Sequence, residues 1–112
     1  MPFLKNDGTI VTDPGVTTSK NYDYNLALHN SYGLSIQLVY NNQTAINATA
    51  SIQVSNDGIS WTDVANTAVT ITANGNTIWD LSNSAFKIVR VHFVRVAGTV
   101  DLQLIYNSLN LA

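Results

Sequence analysis

Residues 86–106 read FKIVRVHFVRVAGTVDLQLIY, and the way this stretch alternates decides the fold. Val89, Val91 and Phe93 fall on one side of an extended chain, with Arg90 and His92 on the other. After Ala97-Gly98-Thr99, the residues Val100, Leu102, Leu104 and Tyr106 repeat the pattern against Asp101 and Gln103. A period of two is the signature of strands with one buried face. Gly98 is free to adopt a positive φ, so the spacing predicts a tight hairpin turn there.

The same alternation extends in both directions. Tyr22, Tyr24, Leu26 and Leu28 form one apolar row, and Leu34, Ile36, Leu38 and Tyr40 form a second. Ala50, Ile52 and Val54 follow, then Val69 and Ile71, then Ile78-Trp79-Asp80-Leu81. Between them lie turn-forming clusters: Asn30-Ser31-Tyr32-Gly33, a predicted loop over 41–47, Ala73-Asn74-Gly75-Asn76 and Ser82-Asn83-Ser84. Seven or eight short strands with no helical period predict an all-β, antiparallel β-sandwich of jelly-roll or immunoglobulin-like type. Two sheets are required because neither can bury its apolar face alone.

The first twenty residues differ. Asp13-Pro14-Gly15 and the polar run Thr17-Thr18-Ser19-Lys20 interrupt pairing, leaving Thr9–Thr12 as the one short strand expected there. The sequence thus divides into an extended N-terminal arm or irregular edge, 1–20, and a sandwich domain, 21–112. Phe3, Leu4, Ile10 and Val11 are the arm's candidate apolar anchors on a neighbouring molecule.

Composition narrows the function. At 112 residues the chain is long enough for one domain with a real core. It has no cysteine, hence no disulfide framework or thiolate metal site. A net charge of -2 offers no basic face for nucleic acid. Only 11% of residues are charged, against roughly 25% in ordinary domains. Glutamate is absent while Asn and Thr abound. Such a surface repels its neighbours weakly and suits a chain that packs against copies of itself or a partner. The opening MPFLKNDG has no basic start followed by an apolar stretch, so no export signal is expected, and no apolar run is long enough to cross a bilayer as a helix.

Candidate chemistry is sparse. Ser55-Asn56-Asp57-Gly58 has turn residues, with Gly58 suited to positive φ and Asp57 to bonding its own backbone. Trp61 on the returning strand is expected to cover Ile52 or Val54 in the core. Asp57 lacks the converging oxygens a calcium ion needs, and neither His29 nor His92 has metal-ligand spacing. No nucleophile elbow, phosphate loop or carboxylate pair appears. The expectation is therefore a non-enzymatic protein with no catalytic residues, no metal site and no cofactor.

The cadence of residues 49–107 (S-N-D-G-x-x-W, T-I-W-D-L, V-R-V-x-F-V-R-V, A-G-T-V-D-L-Q-L) resembles small β-sandwich proteins of tailed bacteriophage virions. These are capsid decoration or auxiliary proteins and tail or fibre modules. The resemblance implies a virion location after assembly in the host cytoplasm. It also implies many docked copies and a homo-oligomer, with a major capsid or tail protein as partner and no nucleic acid or membrane. It carries over Asp57, Gly58, Trp61, Arg90, Val91 and Phe93 as fold determinants, and a capsid decoration role is the leading expectation. A closed trimer is the simplest way to cover the unpaired edges of a sandwich. The alternative is a carbohydrate-binding sandwich, such as a receptor-binding tail or fibre module, with Tyr32 and Trp79 as the exposed platform.

Overall fold

The structure, a computed structural model, describes residues 3–25, 31–81 and 86–111, with side chains over 8–24, 34–81 and 86–108. Strand length is its governing feature. β3 spans Ser31–Ser55 and β7 spans Ile88–Leu111, 25 and 24 residues. Drawn straight, such strands would measure roughly 80 Å. The whole molecule is only 48 Å in its longest dimension. Both strands must therefore bend, and the sandwich follows from that bend.

β3 and β7 pair antiparallel along nearly their full length, from Ser31↔Asn110 to Ser55↔Ile88. β1 (Phe3–Val16) pairs with the second half of β7, and β2 (Lys20–Asn25) with the first half. On the other edge of β3, β6 (Gly75–Asp80) pairs with residues 35–40. β5 (Val69–Ile71) and β4 (Thr62–Asp63) pair with 48–50 and 53–54. The result is one antiparallel sheet creased across its middle. One half holds β1, the ends of β7 and β3, and β6; the other holds β2, their remaining portions, β5 and β4. Every described element is a strand or a connection, so the fold is all-β.

The crease is where the backbone leaves ordinary territory. Asn42 (φ 49°), Ala45 (φ 50°), Gly98 (φ 80°) and Gly15 (φ 63°) all lie along it. Ala45 holds a left-handed conformation that costs an alanine about 1–2 kcal/mol, so the packing around it must enforce the bend. Gly98 has no alternative: a Cβ there would lie 2.3 Å from the Ala45 carbonyl oxygen. Two sequence expectations are corrected at this point. Ala97-Gly98-Thr99 is not a hairpin turn but a bend within β7, and 41–47 is not a loop but the bend within β3. Bent strands and hairpins demand the same residue types, and only long-range pairing separates them.

Folding at the crease closes the core. Leu34, Ile36, Leu38, Leu102 and Leu104 of one half join Ala48, Ala50, Ile52, Val89, Val91 and Phe93 of the other in one buried cluster. The rings of Tyr24 and Tyr106, from opposite halves, meet at 5.0 Å between centroids. β1 is longer than the Thr9–Thr12 strand expected: from Phe3 to Val16 it lies along β7, with register shifts at Thr9/Val11 and Asp13/Val16. Ile10 and Val11 pack against their own chain's core. Phe3 and Leu4 sit opposite Leu111 and Asn110, their side chains lying outside the described residues.

Two aspartates staple the crease. Asp101 accepts hydrogen bonds from the Gly15 amide at 2.7 Å and the Asn42 side chain at 2.9 Å, joining β1, β7 and β3. Asp13 accepts from Lys20 at 2.8 Å and Tyr22 at 2.7 Å, tying β1 to β2. The Asn42 and Gly15 donors hold the Asp101 carboxyl below its ordinary range, and the Lys20 and Tyr22 donors do the same for Asp13. Burial, reinforced by the Asp13 acceptor, pushes the Tyr22 phenol up. A depressed carboxylate contributes stability above its unfolded value, around 4, that is lost as pH falls through the folded value. Urea midpoints are therefore expected to hold between about pH 7 and 5 and to decline below about 4. Asp101→Asn should shallow that decline; an unchanged acid limb would remove Asp101 from the account.

Candidate functional site

The loop closing the β3–β4 hairpin is the most heavily organised surface feature. Ser55 Oγ accepts from the amides of Asp57 (3.3 Å) and Gly58 (2.8 Å) and donates to Asp57 Oδ1 (2.9 Å). The same Asp57 oxygen accepts from the amides of Ile59 and Ser60, both at 2.8 Å. These backbone donors, with Ser55, pull the Asp57 carboxyl down to about 2. Gly58 has a φ of 77°, and Asn56 accepts from the Lys87 amide, pinning the loop to the start of β7. The loop is rigid because its own polar atoms satisfy one another, and it holds Ile59 out in solvent at 84% exposure.

Beside it opens a cleft of about 500 Å³ lined by Val54, Ser55, Asn56, Asp57, Ser60, Thr62, Asp63, Val64 and Phe86. Val54, Val64 and the half-exposed Phe86 ring supply its apolar part. On the outer face of the sheet next to it, Arg90 donates to Gln53 at 2.7 Å and Gln53 donates to Asp63 at 2.8 Å. The Arg90 guanidinium lies 3.9 Å from the centroid of the Trp61 ring. Two residues further along β7, His92 Nδ1 lies 2.6 Å from the Asn21 side-chain oxygen. Among the described residues no group of three or more His, Asp or Glu could hold a metal ion.

Both tryptophans depart from expectation. Trp79, a platform candidate in the carbohydrate-binding alternative, is buried at 6% exposure and donates its indole N–H to the Thr67 carbonyl at 2.8 Å. Its register partner is the fully buried Ile36, so it faces inward while Ile78 faces out. Trp61, expected in the core, is only half-buried. The pairing Gln53↔Asp63 turns the odd-numbered residues of β4 outward, and Trp61, two positions earlier, shares that side. Tyr32, the other platform residue, has a side chain outside the described residues, as does His29. Val91 and Phe93 are fully buried. Sequence reasoning did not find Thr67, whose hydroxyl accepts from the Ile52 amide and donates to the Val64 carbonyl. Nothing local to Thr67 signals a bond to a strand fifteen residues away.

No family model and no curated protein sequence matches the chain. Solved structures do. The crystal structure of the SPBc2 prophage-derived protein YomS superposes with a TM-score of 0.66 at 11% identity, covering 98% of this chain and 96% of that one. The fold is shared with a phage-derived protein. The coat protein of Tobacco streak virus superposes with a TM-score of 0.53 at 14% identity, covering 97% of this chain and 86% of that one. At such identities the likeness is one of fold, and it runs through both halves of the creased sheet.

Proposed function

We propose that the chain is a non-enzymatic structural protein of a virus particle, a bacteriophage capsid decoration or auxiliary protein that docks in many copies. The observation that carries this reading is the full-length likeness to a prophage-derived protein and to a viral coat protein, two chains of viral origin. The sparsely charged, glutamate-free surface is consistent with it, because weak mutual repulsion permits dense arrays. Multivalent contact on a repeating shell lets modest per-copy affinity suffice. The Ser55 and Asp57 side chains of the 55–60 loop are consumed in holding its shape, as befits a docking surface more than a reacting one.

Purified protein mixed with particles lacking it should co-sediment with them and saturate at a fixed number of copies. Binding that never saturates, or none at all, would reject the docking role. A second reading, carbohydrate binding, is favoured by the cleft beside Phe86, since an exposed ring flanked by Asn56, Ser60 and Thr62 offers stacking and hydrogen bonds to a sugar. A glycan panel that binds the intact chain and loses affinity on Phe86→Ala would establish it.

A further inference from the structure

The creased sheet has edges at β1 and β2 on one side and at β6, β5 and β4 on the other, unequally protected; β2 is tied back to β1 through Asp13, which accepts from Lys20 and Tyr22. β4 and β5 are two and three residues long, too short to template pairing. In β1, the part after Thr9 is blunted by two register shifts and by Pro14, devices that keep edge strands from pairing with other chains. Phe3–Thr9 has neither: its register to Leu111–Ile105 is unbroken, and Lys5 is its one basic residue. At the opposite edge of the same half, Gly75–Asp80 in β6 pairs with β3 without a register break, proline or basic residue. In its middle Ile78 stands 62% exposed. Among the described residues, β1 pairs only with β7 and β6 only with β3.

These two unbroken edges fit each other. β1 runs antiparallel to β7, β7 to β3, and β3 to β6, so β1 and β6 have opposite directions in the half-sheet. Placing a second copy beside the first, rotated about an axis running alongside the strands, therefore sets β1 antiparallel to β6 of the next copy. That operation is head-to-tail, and repeated it closes a ring when the rotation brings the last copy back to the first. The lengths agree as well: the five residues Lys5–Thr9 of β1 can meet the five residues Asn76–Asp80 of β6. The register that sets Lys5 opposite Asp80 of the next copy also sets Asp7 opposite Ile78 and Thr9 opposite Asn76. Opposite charges then share a cross-strand position, a favourable pairing on a sheet.

We infer that the chain assembles with copies of itself by pairing Lys5–Thr9 of one copy with Asn76–Asp80 of the next, making a closed ring of continuous half-sheets. This deepens the structural-protein reading by naming the surface through which copies join. The absence of cysteine from the chain gives a clean background for disulfide trapping. The full chain should carry Thr9→Cys with Asn76→Cys, and separately Asp7→Cys with Ile78→Cys, with each single variant as control. Under mild oxidation both doubles should give a covalent ladder ending at one closed species, while the singles stay uncrosslinked. A Thr9→Cys single that dimerises would show a two-fold β1–β1 contact and overturn the head-to-tail ring. Doubles that stay uncrosslinked although native mass spectrometry of the unsubstituted chain finds an oligomer would refute this surface alone, leaving assembly intact. A monomer at every concentration would also overturn the inference, while the particle-binding experiment would still decide the docking role.

Discussion

Gly98→Ala is expected to destabilise the protein by about 2–5 kcal/mol, lowering the urea midpoint sharply with little change in the β signal of whatever remains folded. Two costs add. The alanine must hold a φ of 80°, and its Cβ must find room where the Ala45 carbonyl oxygen and carbon would lie 2.3 and 2.4 Å away. The obstruction is backbone, so no side chain can swing aside. The backbone must give way at the point where β3 and β7 both bend, loosening the packing of one half on the other. Gly15→Ala is the natural comparison, because Gly15 also has positive φ (63°) but nothing within 4 Å of its missing Cβ. It should cost only the conformational strain, about 1–2 kcal/mol. Equal losses at the two positions would mean that the close approach at the crease contributes nothing.

Trp79→Ala should cost roughly 3–5 kcal/mol, and Trp61→Ala about 1 kcal/mol. Trp79 fills the interior against Ile36 and satisfies the Thr67 carbonyl, so its removal leaves both a cavity and an unpaired acceptor. Trp79→Phe separates the two, retaining most of the bulk while leaving the carbonyl unpaired, at about 1–3 kcal/mol. Trp61 loses a half-exposed stack with Arg90, whose Nε–H keeps its bond to Gln53. Denaturant titration of the three variants measures the difference directly. A larger loss at Trp61 than at Trp79 would restore the roles expected from sequence.

The alternating rows made the all-β sandwich legible because burial in a strand depends on parity, and parity is written in neighbouring residues. Leu34, Ile36 and Leu38 are buried, as are Val89, Val91 and Phe93, while Arg90 and His92 point out. Which breaks between rows are turns and which are bends is not local information. Gly98 satisfies both, and the choice is made by Ala45, fifty-three positions earlier. The tryptophans show the same limit. Trp61 and Trp79 each stand beside polar residues, and only the register of β4 and β6 on β3 assigns one to solvent and the other to the core. The polar ties at Thr67, Asp13 and Asp101 were invisible for the same reason, since their partners come from other strands. The cleft by Phe86 likewise depends on β7 beginning opposite the start of the 55–60 loop.

The central claim, that the chain is a structural component of a virus particle, is tested most directly by quantitative mass spectrometry of purified particles. The chain should be measured against the main shell protein after dissociating contaminants are washed away. The account predicts a fixed ratio, reproducible between preparations and corresponding to many copies per particle. A chain absent from washed particles, or present only in traces that vary from one preparation to the next, would contradict it.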